Sequence, residues 1–377
     1  MTIRNAYERA IIRNADWFLA HQQREGFIDV EGDEFYGLKG DATLIGHSVT
    51  VRLYAYLLSG DERYRESALA SLTWLAERQD ERGGWRHHAA FTLDGAQCVF
   101  EGFNTYERVT GDRRFRDVLL RAARRMIAGT IDDDGRLLLP NLIEIGEYAH
   151  FALLAWKTTG QESFRRAGES ILGHILRHFD EEEGYWLPVD PAAHRRDLPA
   201  RLIRPVLREA VRRLPMRGRL VARMAEHMLP IVTGEPHPQY AMSMMDAEAL
   251  LDTLDGSCRF PLLAQQTERA IGWVTRHCGG PFPGSLTESP PLPPKDWVFP
   301  LPLINDHRLA ALWPTCCLLI AYCGLNDSRY RQAARVTADW IVSMQDADGG
   351  FFNFRQPDGR PLPLKSGNVN FYAVMAL

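Results

Sequence analysis

Glu101, Glu147, His150 and Asp246 are the residues of this chain whose types and spacing could carry acid–base chemistry. They emerge by counting back from five aromatic residues, Tyr64, Phe115, Phe164, Phe260 and Tyr330, each 20 positions ahead of a glycine. Seventeen residues before these anchors stand His47, Cys98, Glu147, Ser243 and Trp313. Fourteen before stand Thr50, Glu101, His150, Asp246 and Cys316, and ten before stand Tyr54, Thr105, Leu154, Leu250 and Ile320. Offsets of i, i+3 and i+7 share one face of a helix, so across the ring the first two tiers are polar and ionisable and the third is mostly apolar. Carboxylates and imidazoles taken out of water are costly unless paired or solvated, and such groups gathered in a cleft are candidates for catalysis. Two carboxylates across a sugar can protonate a leaving oxygen and activate water. A carboxylate with a His or Tyr can instead abstract a proton beside a uronate carboxylate. The plain alternative is that these groups hydrogen-bond neighbouring helices.

A second set of polar and aromatic residues falls in the loops ahead of the same helices. Tyr36 and Asp41 precede the first, Trp85, His87 and His88 the second, Tyr240 the fourth, Asp306 and His307 the fifth, and Arg355 and Asn370 surround the sixth. With His47 they suit a hydroxyl-rich ligand, aromatic rings serving as platforms for sugar faces. Asp41 and Asp306 also suit helix N-caps, and Trp85 shares a repeated turn position that favours packing.

The elements that must position these residues form a repeat. The interval from aromatic to glycine closes one amphipathic helix in each copy, as in Ser328 to Phe352, and an N-terminal copy keeps Trp17, Gln22 and Gly26. Outer helices are expected over 3–24, 62–80, 112–129, 161–179, 257–277 and 327–345. More apolar inner helices are expected over 42–59, 91–110, 142–159, 239–254, 306–325 and from 368 onward. Repeated units bury their apolar faces only against each other. Twelve helices in this alternation predict an all-α fold, a single (α/α)6 toroid over 1–377 with a funnel lined by the inner helices. Ser59-Gly60-Asp61, Thr110-Gly111-Asp112, Thr159-Gly160-Gln161 and Leu325-Asn326-Asp327 make the short turns at one end. Gly or Asn there tolerates positive φ, and Asp can cap the following helix. The long loops lie at the other end, where function usually resides.

Two segments are outsized. Residues 278–305 carry eight prolines and read as an extended cover. Residues 190–235 read as a helical insertion, with ten arginines between Arg195 and Arg223. Arg201, Arg204, Arg208 and Arg212 share a helical face, which is a solvated face of a lid helix or a contact for an anionic glycan or anionic lipid.

The net charge of −4 and pI near 6.3 argue against a nucleic-acid partner. No apolar run is long enough to span a bilayer. The six cysteines sit mostly in apolar runs, with Cys316 and Cys317 adjacent, which reads as a reduced, cytoplasmic protein. His277-Cys278 lacks a second ligand cluster, so no metal and no cofactor is expected.

Trp74 through Gln79 with Gly83-Gly84-Trp85, and Trp340 through Gln345 with Gly349, Gly350 and Phe351, resemble the Gln–Trp repeats of squalene and terpene cyclases and of protein prenyltransferase β-subunits. The resemblance implies an α/α toroid, a fold shared with sugar epimerases, polysaccharide lyases and inverting glycoside hydrolases. It does not carry the chemistry across. The Asp-x-Asp-Asp acid of the cyclases is missing: Asp132-Asp133-Asp134-Gly135 and Asp346-Ala347-Asp348-Gly349 do not fit and lie in turns. No Asp/Cys/His zinc set and no Cys-His-Gly signature of lanthionine cyclases is present either. The expectation is therefore an enzyme acting on an oligo- or polysaccharide, uronate-containing or not, as hydrolase, lyase or epimerase. The alternatives are a terpene cyclase or isomerase with a noncanonical acid, and a binding module without turnover.

Overall fold

The computed structural model describes residues 5–34, 42–85, 94–132, 145–182, 184–186, 261–288 and 306–377, with the side chains of 34, 94–98 and 145–147 outside that description. Eleven α-helices fall in this range: α1 Ala6–Ala20, α2 Ala42–Ser59, α3 Glu62–Ala76, α4 Asp94–Thr110, α5 Arg116–Thr130, α6 Ile145–Thr159, α7 Glu162–Arg177, α8 Pro261–His277, α9 Leu312–Leu325, α10 Arg331–Ser343 and α11 Gly367–Ala376. Outer α1, α3, α5, α7, α8 and α10 alternate with inner α2, α4, α6, α9 and α11. The inner helix expected over 239–254 and the insertion over 190–235 lie outside the described residues. The ring closes because α11 packs on both α9 and α2, while α1 packs on α10 and α11. The architecture is an α/α toroid.

The short turns follow from their residues. Gly60, Gly111 and Gly160 adopt φ of 69°, 72° and 71°, and Asn326 takes the same left-handed conformation at 48°. Asp61, Asp112 and Asp327 then accept the backbone N–H two residues on, at 3.0, 3.0 and 2.8 Å, and each forks with the Arg at that position. Asp61 is thereby the N-cap of α3, which contributes about 1 kcal/mol, while Asp112 and Asp327 brace the turns ahead of α5 and α10, whose N-cap positions are Phe115 and Tyr330.

A recurring seam explains the sequence repeat. Gln79 Nε2 donates to Gly83 O (3.1 Å) and to Val118 O on α5 (2.9 Å). Gln345 Nε2 donates likewise to Gly349 O and to Ala10 O on α1, both at 2.8 Å. Gln22 Nε2 donates to Ser67 O on α3 at 3.0 Å. In each case one repeat's turn is tied to the next outer helix, and the last is tied to the first. Gly83 (φ 86°) and Gly349 (φ 95°) allow that approach. A Cβ on them would lie 2.3 Å from Arg121 O and 2.1 Å from Arg13 O. In these two copies the left-handed glycine is one residue before the one that the 20-residue interval marks, whereas in the Phe164 copy the marked Gly184 is itself left-handed (φ 85°).

Arg52 of α2 is fully buried against α3. Its guanidinium donates to Ser48 O (2.9 Å), Ser48 Oγ (2.8 Å), Ser67 Oγ (2.5 Å) and Ser71 Oγ (2.9 Å). Burial lowers its pKa to about 9, which still leaves it charged at neutral pH.

One boundary differs from expectation. The fifth inner helix starts at Leu312, not near 306, because Ala310–Ala311 pairs antiparallel with Phe354–Arg355. Ala311 N also donates to Leu286 O and Leu312 N to Asn353 O, so these groups are committed to loop pairing before the helix begins. A second short ladder pairs Phe179–Asp180 with Tyr185–Trp186.

Candidate functional site

The contacts of each inner helix decide which face is left for the axis of the toroid. On α4, Phe103 and Tyr106 meet Phe115 beside α5, with centroids 5.2 and 5.9 Å apart. Phe100 meets Phe151 of α6 at 5.9 Å. Gly102 abuts α2, where a Cβ would lie 2.9 Å from Gly46 O. Glu101, Thr105 and Arg108 occupy the remaining face. On α2, Arg52 points outward to α3, while Gly46 and Val49 meet Gly102. That leaves Thr50 and Tyr54 for the axis, with His47 beside α11. On α6, Ala149 and Leu153 lie against Gly168 of α7, which leaves His150 and Leu154.

The axis face is therefore polar in its upper tiers. His47, Thr50, Glu101, Thr105 and His150 are all at most 8% exposed. His47 stacks flat on Phe371 of α11 (3.8 Å, 2°) and bonds to the Asn368 side chain. Among the described residues, His47 Nδ1, Thr50 Oγ1 and His150 Nδ1 are buried polar atoms without a hydrogen-bond partner. Asn104 Nδ2, between α4 and α6, is another, although Asn104 Oδ1 accepts from Thr158 at 2.6 Å, and outer-helix atoms such as Gln266 Oε1, Thr267 Oγ1 and Trp340 Nε1 share that condition. Each such atom costs about 1–3 kcal/mol unless a hydrogen-bonding group reaches it.

Electrostatics link the three helices. Burial pushes His150 down to about 3, and the charge of Arg108 lowers it further. Burial pushes His47 down to about 3 as well, opposed by its Asn368 hydrogen bond. Both imidazoles are neutral at physiological pH. Tyr54 is raised to about 12, first by burial and then by the Glu101 carboxylate, with Arg108 opposing. Tyr54, Glu101, Arg108 and His150 thus share one region, and the phenol stays protonated. Arg108 is absent from the tiers at 17, 14 and 10 residues before each anchor. It sits seven before Phe115, so extending the same count by one turn finds it.

Other residues expected at the site have different surroundings. Trp85 is buried in the core, its indole N–H donating to Leu75 O at 2.8 Å and its ring against Phe103. Asn370 is wholly buried, receiving from Asn14 (2.7 Å) and Phe351 N (2.6 Å) and donating to Phe351 O and Ser366 O. That saturates the amide, which closes the ring and has no capacity for a substrate. Asp306 does not cap the fifth inner helix; it accepts from Arg308 N and forks with the Arg308 guanidinium. His307 is exposed in the same turn. Arg355 donates to Ser343 O and Oγ and lies 5.8 Å from the Phe282 ring. The side chain of Glu147, and Tyr36, Asp41, His87, His88, Tyr240 and Asp246, lie outside the described residues.

Among the described residues no group of three or more His, Cys, Asp or Glu side chains could hold a metal ion. Cys278, Cys316, Cys317 and Cys323 form no disulfide, and burial followed by the Glu288 charge pushes Cys278 up to about 12. No described helix is long and apolar enough to cross a membrane.

No protein-family model and no curated protein matches the sequence. Solved structures do match in fold. A D-mannose isomerase superposes with a TM-score of 0.65 at 11% identity, covering 99% of this chain and 96% of the other. A cellobiose 2-epimerase from Bacillus thermoamylovorans gives 0.64 at 10%, covering 97% of each chain. The α-1,6-mannanase GH76A of Salegentibacter sp. gives 0.60 at 13%, covering 99% and 98%. At these identities the likeness establishes the α/α toroid.

Proposed function

We propose that the chain is an enzyme that performs acid–base chemistry on a saccharide at the axis of the toroid. The observation that carries this reading is the buried polar face shared by Thr50, Glu101, Thr105 and His150, on which Thr50 Oγ1 and His150 Nδ1 have no hydrogen-bond partner. A hydroxyl-rich ligand supplies the hydrogen bonds those atoms need. A carbocation-forming cavity would instead be lined with Phe, Trp and Tyr, which the tiers of Thr50, Glu101, Thr105 and His150 disfavour. The fold's likeness to a mannose isomerase, a cellobiose epimerase and a mannanase agrees with a sugar substrate.

Of the three chemistries, proton transfer at carbon is the best fit to the described side chains, which offer one carboxylate, one protonated phenol and two neutral imidazoles. Glu101 takes the proton from the carbon beside the sugar's carbonyl and returns it, and the Tyr54 hydroxyl donates to the oxygen that gains charge. His47 and His150 hold hydroxyls by hydrogen bonds. Hydrolysis would draw its second carboxylate from Glu147 or Asp246.

The test is proton NMR of mannose and of cellobiose incubated with the protein in D2O. Deuterium entering at C2, and lost in Glu101→Gln and Tyr54→Phe, is the expected result. Cleavage of glycosidic bonds without such exchange would move the assignment to a hydrolase. Saturable binding with no turnover of any saccharide would leave a binding module and contradict the proposal.

A further inference from the structure

At the short-turn end of the ring, away from the upper polar tiers, lies a cavity of about 360 Å³ lined by Glu107, Arg108, Gly111, Arg113, Arg116, Leu154, Lys157 and Thr158. It is formed where the last turns of α4 and α6 meet the start of α5, with the buried Leu154 beneath it. Four of its side chains are cations and one is an anion. Glu107 is already engaged: Arg116 grips both its carboxylate oxygens, Nε at 2.9 Å, and Arg113 stands at 3.5 Å. Arg116 also donates to Thr158 O at 3.3 Å, which ties α5 to the end of α6. Arg108 and Lys157 make no ion pair among the described residues, so an excess of positive charge faces the concavity.

Cations in the last turn of a helix complement its dipole, and that accounts for the sign of Arg108 and Lys157 individually. It does not account for two helix ends and the head of α5 converging four cations on one concavity with a single carboxylate already in use. The volume falls in the lower part of the range that takes small ligands. A guanidinium offers a planar fork suited to phosphate, and an ammonium adds a point charge.

We propose that this cavity binds a small phosphate-bearing anion, with Arg108 and Lys157 as its principal contacts and Arg113 at its rim. The site uses none of Glu101, Tyr54, His47 or His150, and it adjoins the axis face through Arg108 and Leu154. An occupant would still be felt at the axis, because the field of Arg108 reaches both Tyr54 and His150.

The experiment is isothermal titration of the full chain with inorganic phosphate, pyrophosphate and glucose 6-phosphate, at low and at physiological ionic strength. Saturable binding of pyrophosphate is expected, weakening with salt. The Arg108→Gln/Lys157→Gln double variant should weaken it at least about tenfold, whereas Arg165→Gln, which removes a surface cation paired on α7, should not. Glucose 6-phosphate binding more tightly than inorganic phosphate would identify a phosphate ester as the occupant, and equal binding would identify the free ion; both support the site. Because the substituted side chains are exposed, their thermal midpoints should hold. If the double variant unfolds, Arg113→Gln alone, which should weaken binding about threefold or more, decides. Absence of saturable binding by all three probes, or unchanged affinity in the folded variants, overturns the proposal.

Discussion

Gln345 and His150 are both polar side chains set between helices, and their surroundings differ in kind. The Gln345 amide has its donor committed to Ala10 O and Gly349 O, both at 2.8 Å, on either side of the joint that closes the ring. His150 keeps a buried Nδ1 without a partner and an imidazole held neutral by its burial. The seam glutamines spend their amide donors on holding the repeats together, although the outer helices also keep unpartnered buried atoms, among them Gln266 Oε1, Thr267 Oγ1 and Trp340 Nε1. The axis face withholds some of its own, at a cost in stability that an occupant would recover. Asn370 shows that the division follows location and not residue type, since this inner-helix amide is saturated because it belongs to the closure.

Substitutions can break that contrast from either side. The largest effect is expected on turnover: Glu101→Gln should lower it by about 10²–10⁴-fold while leaving the thermal midpoint unchanged or raised. Steady-state kinetics and a melting curve on one preparation check both halves. On the seam, Gly349→Ala should cost on the order of 3 kcal/mol or more, because the new Cβ would press on Arg13 O and the φ of 95° disfavours any side chain. Urea unfolding measures it, and a loss below about 1 kcal/mol would mean that the joint yields easily.

Acid should separate the layers more gently. His47 and His150 have folded-state pKa values near 3, below the ordinary 6.5, so the unfolded chain binds more protons between those values. Their contribution to stability is complete above about pH 6.5 and is lost as pH falls toward 3. His47→Gln with His150→Gln should flatten the fall in unfolding free energy between pH 7 and pH 4, and an unchanged slope would contradict the burial of the two rings. The smallest effect is expected at Trp85→Phe. It removes the N–H donated to Leu75 O, should cost about 1 kcal/mol, and should leave turnover untouched.

Much of the ring was legible because its joints repeat. The aromatic-to-glycine interval and the recurring Gln mark contacts made several times over, and inner helix α2 spans the same 42–59 range that hydrophobic patterning gives. The start of the fifth inner helix was not legible, because its first expected turn is taken by pairing of Ala310–Ala311 with Phe354–Arg355, a contact far along the chain. For Glu101, His150, Thr50 and Tyr54, spacing alone gives the side of the helix on which each lies, and the use of that side belongs to the proposed function. Asn370 and Trp85 have the chemistry of ligand-binding residues, but partners elsewhere in the chain decide their use, and the sequence carries no sign of Phe351 O beside Asn370, whereas Asp306 is taken by Arg308 two residues on.

The central claim is that the axis face withholds hydrogen bonds for a sugar. A crystal structure of the protein soaked with mannose or cellobiose tests it most directly. The account predicts sugar density along the axis, with hydroxyls within hydrogen-bond distance of Glu101, His150 Nδ1 and Thr50 Oγ1. An axis filled by protein side chains bonded to those same atoms, with sugar absent or bound elsewhere, would contradict it.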